Sequence, residues 1–331
     1  MKRAIAILAG TLLCWAAPAA AQQKPIEWRM QTAFAATSPA QKYLERFRDE
    51  IGKRSNGRLV IKLFPNFGLG YKMADPLNAV RDGLMEAGHD NLNAYTGVVP
   101  LFALGNLPFL FDDDKDHLRG LGAARPFYER EFGKHNAKML WLSAFPLTYV
   151  FARKPVLKVE DFKGMKIRVA AKPVMSAISK LGASPQTIAL AEAITAMQTG
   201  VIDGQIWAIE AGITFKIQDV VHHGSAWPFY GVEQAIYVSK RKFDELPPDL
   251  QKIVMEVARE NERQFTEDIL LGDEQSRKVM EATGKMKFYS PDRKEIAKAR
   301  AVSRSIWDES IKQIGPLGAE FIAAVEKALG R

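Results

Sequence analysis

From Pro247-Pro248 to Gly284 the chain carries one unbroken helical pattern, with Leu250, Val254, Val257, Phe265, Ile269, Val279 and Met280 recurring at helical spacing. Proline at its start and glycine at its end are the expected punctuation of a helix. A helix over 248–283 extends roughly 50 Å at 1.5 Å per residue, longer than one domain needs for packing. Such a rod is expected to brace two domains, and 331 residues are enough to build them. With 47% hydrophobic and 25% charged residues, the composition suits domains held by their own cores.

Before and beside that rod, strand-like and helix-like stretches alternate, which predicts α/β domains with largely parallel sheets covered by helices. Strands are expected at 27–33 and 59–64, from Leu84, and at 139–143, with helices at 39–55, 74–82 and 116–134 among them. A second set follows from Tyr149, with strands at 166–169, 202–207 and 231–239 and helices at 174–181 and 192–199. The sequence shows no internal repeat and no low-complexity run, so it does not describe a solenoid or a disordered tether.

Residues 1–21 read as an export leader that is cleaved after Ala21. Lys2 and Arg3 form a positive head, residues 4–17 are an apolar stretch too short to span a bilayer comfortably, and Ala19-Ala20-Ala21 is an A-x-A cleavage pattern. Cys14, the only cysteine, lies in this segment behind Leu13 rather than a small residue, so no lipid anchor is expected. Cleavage leaves no thiol, which excludes disulfides and cysteine–metal sites from the mature chain. The formal charge is +8; the leader holds two of the positive charges and no acid, so the mature chain carries +6. The expected location is the periplasm, with no nucleic-acid partner. The scattered basic residues then form a solvated exterior or aid the capture of anionic solutes. No other segment approaches the length of a membrane-spanning helix.

The sequence carries no familiar catalytic signature. His89, His117, His135, His222 and His223 show no H-E-x-x-H spacing. No G-x-S-x-G elbow occurs, and Gly68-Leu69-Gly70-Tyr71-Lys72 has neither the third glycine of a dinucleotide loop nor Walker spacing. The acids Asp112, Asp113, Asp114 and Asp116 fail the EF-hand template, which would need glycine at His117 and glutamate at Ala123. They are better placed to cap a helix beginning near Asp116, where negative charge meets the positive end of the helix dipole. No enzyme activity, cofactor or metal is expected.

Glu160-Asp161-Phe162-Lys163-Gly164-Met165-Lys166-Ile167-Arg168-Val169 reads as a tight turn feeding a short strand. Arg168 falls near the strand's C-terminal end, ahead of a helix, where open α/β sheets bind ligands. A guanidinium there can clamp a carboxylate bidentately; the alternative is a surface or ion-paired arginine. The stretch Leu181-Gly182-Ala183-Ser184-Pro185 through Met197-Gln198-Thr199-Gly200-Val201-Ile202-Asp203-Gly204-Gln205 carries further signal. Together with Phe64-Pro65-Asn66, Leu107-Pro108-Phe109-Leu110-Phe111 and Leu246-Pro247-Pro248, it resembles the DctP-type solute-binding subunit of TRAP (tripartite ATP-independent periplasmic) transporters. The resemblance covers nearly the whole mature chain, in the family's order.

The resemblance implies a two-domain periplasmic-binding-protein-like clamp that closes over an organic acid and hands it to a small and a large membrane subunit. Its expected division is 22–146 plus about 238–265 for the first domain and 147–237 plus about 266–331 for the second, with hinges near 145–152 and 236–240. Arg168 falls on the family's carboxylate-binding arginine. Leu147 stands where many relatives have a second pocket arginine, Trp207 where they have a ligand-bonding asparagine, and Leu190 where they often have phenylalanine. Phe34, Asn93 and Gln205 complete the expected ligand-binding set. Fewer charges and more apolar wall favour a monocarboxylate, keto acid or aromatic acid over a dicarboxylate. Trp207 also resembles the branch that binds α-keto acids, some of whose members hold a metal through an adjacent glutamate. Ile206 stands there, which would leave Glu210 or Glu233 to substitute. Lys172 is the reserve cation beside Arg168. Two other readings stay open: a ligand-presenting sensor for a membrane receptor, and an exported hydrolase.

Overall fold

The computed structural model describes residues 24–331 except Pro39, Met73, Ala74, Ala170, Ala171, Leu190 and Ala191. The expected leader therefore lies outside the described residues. Two sheets organise the rest. The first contains β1 (Ile26–Thr32), β2 (Leu59–Phe64), β3 (Ala87–Asn91), β4 (Ala137–Ala144) and β10 (Glu233–Ser239), in the order β2-β1-β3-β10-β4. The second contains β5 (Tyr149–Ala152), β6 (Lys166–Arg168), β7 (Ser184–Gln186), β8 (Gly204–Trp207), β9 (His223–Ser225) and β11 (Lys287–Tyr289), in the order β11-β9-β5-β8-β6-β7. Each sheet mixes parallel pairs with antiparallel ones. β10 runs antiparallel to both of its neighbours, and β5 does the same in the second sheet.

Helices cover both faces of each sheet. In chain order they are α1 (Gln41–Arg54), α2 (Asp75–Arg81), α3 (Asp114–Lys134), α4 (Lys172–Lys180), α5 (Ala193–Gln198), α6 (Ile209–Thr214), α7 (Lys240–Asp244), α8 (Pro248–Ala282), α9 (Arg293–Ile314) and α10 (Pro316–Ala328). Strand alternation explains the layering. Ile236 and Val238 of β10 join one apolar cluster with α1 and α8, while Ala235 and Tyr237 face another with α3 and α10. In the second sheet Val150, Ala152, Ile167 and Ile206 point to one side, and Tyr149, Phe151 and Trp207 to the other. Asp113 caps α3 by accepting from the Asp116 amide at 2.9 Å, the role read from the acidic run.

The long segment is one helix of 35 residues. Leu250, Val254, Val257, Phe265 and Ile269 pack against the first sheet and Met280 joins the core of the second. Val279, counted on the apolar face from its spacing, is 59% exposed, because the helix has left the first core by then and buries only Met280 of that pair.

Sheet membership locates the crossings between domains. β4 passes to β5 through residues 145–148, and the return runs through 226–232, between β9 and β10. The expected hinge at 236–240 falls inside β10 and the start of α7, where hydrogen bonding to strands on both sides holds the backbone. The C-terminal segment also divides differently from the reading above. α9 begins with Ile296 and Ala299 in a core of the second domain, yet Trp307 and then Phe321, Ile322 and Val325 of α10 lie in a core of the first. An amphipathic pair of helices that bridges twice carries no sequence mark of where it changes partner.

Candidate functional site

β6 ends at Arg168, and register sets what surrounds it. Arg168 lies opposite Gln186 on β7 and Gln205 on β8, so the three share one face of the sheet. Alternation carries that face along β8 to Trp207, which lies opposite Tyr149 on β5. The Tyr149 hydroxyl donates to Asp273 Oδ2 of α8 at 3.1 Å. The face that carries Arg168 and Gln205 thus continues over Trp207 to Tyr149, two strands away and two residues further along, and from there to a carboxyl group on the bridging helix.

Arg168 is buried, and its Nε donates to the Ile188 carbonyl at 3.1 Å, which anchors the guanidinium at its root. Gln205 beside it is fully buried, yet neither its Oε1 nor its Nε2 has a hydrogen-bond partner among the described residues. Such a group costs energy unless something satisfies it, which marks the spot next to Arg168 as a polar subsite. Burial pushes the Tyr230 phenol up while the Arg168 charge acts against that shift, so the two are electrostatic neighbours.

Between the two sheets lies a cavity of about 180 Å³, lined by Asn91 at the end of β3, Phe145, Pro146 and Thr148 of one crossing, Tyr230 and Val232 of the other, Ala208 after β8, and Asp273. Its wall in the first domain is backed by packed rings. Phe34 packs on His89 and Phe145 with ring centroids 5.2 and 6.0 Å apart, and His89 stacks on Trp141 at 5.7 Å. Burial pushes the His89 imidazole down to about 3, so it is neutral, and its Nδ1 meets Thr32 Oγ1 at 3.1 Å. Asp90 is pushed up to about 7 by burial, against the opposing effect of the Tyr95 and Tyr237 hydroxyls at 2.5 and 3.4 Å. These neighbours fix the end of β3, which presents Asn91.

A larger groove of about 550 Å³ lies outside this cleft, where α8 crosses β4 beside α3. Its charges largely answer one another, Arg125 with Glu262 and Arg263 with Glu267, so it offers no net handle for an anion.

The structure brings Arg168 and Gln205 together and sets Phe34 against Phe145 at the cavity. Trp207 is buried and stacks on Phe215 at 5.0 Å within the apolar cluster, beside the cavity rather than in its lining. Leu147 packs into the first domain's core and lines a separate cavity of about 290 Å³ with Thr148, Tyr149 and Ala226, its amide donating to Asp114 Oδ1 at 2.8 Å, whereas Thr148 lines both cavities. Asn93 is exposed on the turn after β3, and Asn91, two residues earlier, takes the position in the cavity wall. Leu190 and the side chains of Lys172 and Glu210 lie outside the described residues. Glu233 is buried at the second crossing, where it accepts from the Tyr128 hydroxyl at 2.5 Å. Among the described residues no group of three or more His, Cys, Asp or Glu is arranged to hold a metal ion.

Asn91, Tyr230 and Asp273 escaped the sequence reading. For Asp273 a signal exists: it sits four residues after Ile269, on the apolar stripe of α8, where an acid is out of place unless it serves something. Asn91 and Tyr230 sit in ordinary strand-end contexts with no such mark.

Comparison with known proteins identifies the family. The family model DctP, "Bacterial extracellular solute-binding protein, family 7", matches residues 30–313. The C4-dicarboxylate-binding periplasmic protein DctP of Rhodobacter capsulatus is 28% identical over 98% of this chain and 97% of its own length. Among solved structures, DctP6 of Bordetella pertussis, an extracytoplasmic solute receptor binding pyroglutamic acid, is 25% identical with a TM-score of 0.75, covering 91% of this chain and 99% of its own. A TRAP periplasmic solute-binding protein from Ochrobactrum anthropi superposes with a TM-score of 0.83 at 22% identity over 93% of this chain and 97% of its own. With the family model spanning most of its length, this chain belongs to the DctP family of bacterial extracellular solute-binding proteins, the solute-binding subunits of TRAP transporters.

Proposed function

We propose that this protein is exported to the periplasm, captures a small organic monocarboxylate in the cavity between its domains, and delivers it to the membrane subunits of a TRAP-type importer. The observation that carries this reading is the buried Arg168, held by the Ile188 carbonyl at the end of β6 beside the unpartnered amide of Gln205. A preorganised guanidinium binds a carboxylate through paired, charge-assisted hydrogen bonds, and burial strengthens them. The cavity lining holds no lysine or arginine of its own among the described residues, and it includes the acid Asp273. A second carboxylate on the ligand would meet that acid or an apolar wall, and an uncompensated charge there carries a heavy desolvation cost. The pyroglutamic acid bound by the Bordetella receptor is a monocarboxylate and fits this pattern, whereas the dicarboxylate of the Rhodobacter relative does not.

The test is a thermal-shift screen over paired mono- and dicarboxylates, followed by calorimetry on the positives. A ligand that binds only the native state adds roughly 2.7 kcal/mol of stability at a hundredfold excess over its Kd. Monocarboxylates are expected to stabilise the protein more than their dicarboxylate counterparts. Tight binding of succinate or malate, with no response to any monocarboxylate, contradicts the reading.

A further inference from the structure

A groove of about 310 Å³ lies at the end of the second sheet that points away from the interdomain cavity, lined by Arg153, Lys154, Lys163, Gly164, Met165 and Asp203. Strand register fixes its place. Ala152 lies opposite Gly204 at one end of the β5–β8 pair and Tyr149 opposite Trp207 at the other, and it is the latter end that continues through Ala208 into the cavity. Three connections build the groove, and hydrogen bonds tie them together. Arg153 donates to the Met197 and Gln198 carbonyls at the end of α5. The Gly164 amide donates to the Gly182 carbonyl at 2.9 Å, and the Lys166 amide donates to Asp203 Oδ2 at 2.8 Å, while the Asp203 amide returns a bond of 2.8 Å to the Lys166 carbonyl.

The charge on this rim is unanswered. In the same domain Lys285 pairs with Asp219 and Lys298 with Glu295, whereas Lys154, Lys163 and Lys166 are exposed and enter no ion pair among the described residues. Asp203 is the one acid in the lining, and it is engaged by the Lys166 amide. Asp161, just ahead of the turn, folds back onto the Leu157 and Lys158 amides at 2.8 and 2.9 Å. Beside these cations Val201 is 55% exposed, two residues before Asp203. Cations with long side chains around an exposed apolar residue suit a surface of anionic headgroups over hydrocarbon.

We infer that this edge of the second domain is a docking surface for anionic phospholipid, with Arg153, Lys154, Lys163 and Lys166 meeting the phosphates and Val201 resting against the lipid. The attraction of each cation to an anionic surface is small and fades within a Debye length, so a patch of this size binds weakly and reversibly. Such docking keeps a capture protein close to its membrane while the cleft, at the other end of the sheet, stays free to load. That use of the docking rests on the proposed delivery to membrane subunits; the lipid contact itself does not depend on which acid the cleft takes.

Sedimentation with lipid vesicles tests this. Protein purified from the periplasm, free of the apolar leader, is mixed with vesicles of phosphatidylcholine alone or of phosphatidylcholine and phosphatidylglycerol in equal parts. Retention is expected only where phosphatidylglycerol is present, and it is expected to vanish as salt rises from about 0.1 M to about 1 M, where the Debye length shrinks from about 10 Å to about 3 Å. The double variant Lys154→Glu with Lys163→Glu is expected to bind those vesicles about tenfold more weakly, or weaker still. A control pair, Lys53→Glu with Lys312→Glu, alters exposed lysines of α1 and α9 that enter no ion pair among the described residues. It changes the net charge equally and is expected to keep most of the binding. Thermal midpoints equal to wild type in both variants separate lost docking from lost folding. Equal retention on the two kinds of vesicle, or none on either, overturns the inference. So does an equal loss in the patch and control variants, which makes the attraction one of net charge. Calorimetry with glycerol 3-phosphate supplies the last arm: binding that depends on Lys154 and Lys163, without retention on vesicles, makes the groove a site for a free phosphate ester and overturns the membrane reading. Each of these outcomes leaves the role of Arg168 as it stands.

Discussion

In the role proposed for it, Arg168 would act through geometry as much as charge. Its Nε is committed to the Ile188 carbonyl, so the planar fork keeps one orientation beside Gln205. Arg168→Ala is expected to weaken binding of a monocarboxylate found in the screen by about 2–5 kcal/mol, the range for removing one partner of a buried charge pair. Arg168→Lys is expected to lose affinity too, because an ammonium cannot reproduce the fork. Calorimetry measures both. A second prediction concerns the neighbours His89 and Asp90, whose pH effects oppose each other. The buried imidazole, down at about 3, resists a proton that the unfolded chain takes up near 6.5, so its contribution is present above about 6.5 and is lost as pH falls. The buried Asp90 carboxyl, up at about 7, holds a proton that the unfolded chain releases near 3.9, so its contribution is present below about 3.9 and is lost as pH rises toward 7. Between about pH 4 and 6.5 the two slopes oppose one another. Relative to wild type, Asp90→Asn is expected to lose stability on acidification through that window, and His89→Gln on alkalinisation. Urea midpoints at pH 4.5 and 6.5 read the difference; parallel shifts in all three proteins would refute it.

The second crossing is built around small spaces that two glycines keep open. A methyl group on Gly231 would run into the His117 ring, and one on Gly105 into the Glu233 carboxylate. Both partners are buried, and His117 is stacked on Phe111 at 4.5 Å, so neither can step aside easily. Gly231→Ala is expected to cost about 1–3 kcal/mol, as overpacking does, measured by urea denaturation. On α8, Phe265 joins Tyr43, Trp141 and Phe145 at ring distances of 4.8, 5.2 and 5.7 Å, so it ties the bridging helix to the first crossing. Phe265→Ala is expected to cost about 3–5 kcal/mol. Elements of this size differ in how plainly the sequence announces them. α8 was readable almost to the residue, because a 35-residue amphipathic pattern with proline and glycine at its ends leaves no competing structure. The three-residue strands β7, β9 and β11 were not, since a period of two needs more than three residues to declare itself, and their pairing is set by partners distant in the chain. The site was half visible for the same reason. Arg168 and Gln205 lie in runs with local character, whereas Leu147 and Thr148 at a crossing, and Asn91 and Asn93 at a strand end, differ only in which way the backbone turns, a fact of tertiary structure.

The two domains are joined by the connecting segments 145–148 and 226–232 and by the helices α8 and α9, which span both cores. Short extended crossings with continuous helices beside them suit a hinge: a few backbone angles at the crossings absorb the motion while the helices bend or slide. The cavity takes its lining from both crossings, from α8 and from the facing ends of β3 and β8, so a ligand bound there would touch every part that a closing motion would move. Such a closure would draw its free energy from contacts completed only when the domains meet. Solution scattering is expected to show a smaller radius of gyration on saturation with a confirmed monocarboxylate, starting from an open sample; an unchanged radius in a saturated, initially open sample argues against closure. The most direct measurement is a crystal structure of the protein with that monocarboxylate bound. The account predicts the ligand between the two sheets, its carboxylate within hydrogen-bond distance of the Arg168 guanidinium and beside the Gln205 amide. A ligand seated elsewhere, or one in the cavity whose carboxylate is held by another residue with Arg168 untouched, would contradict it.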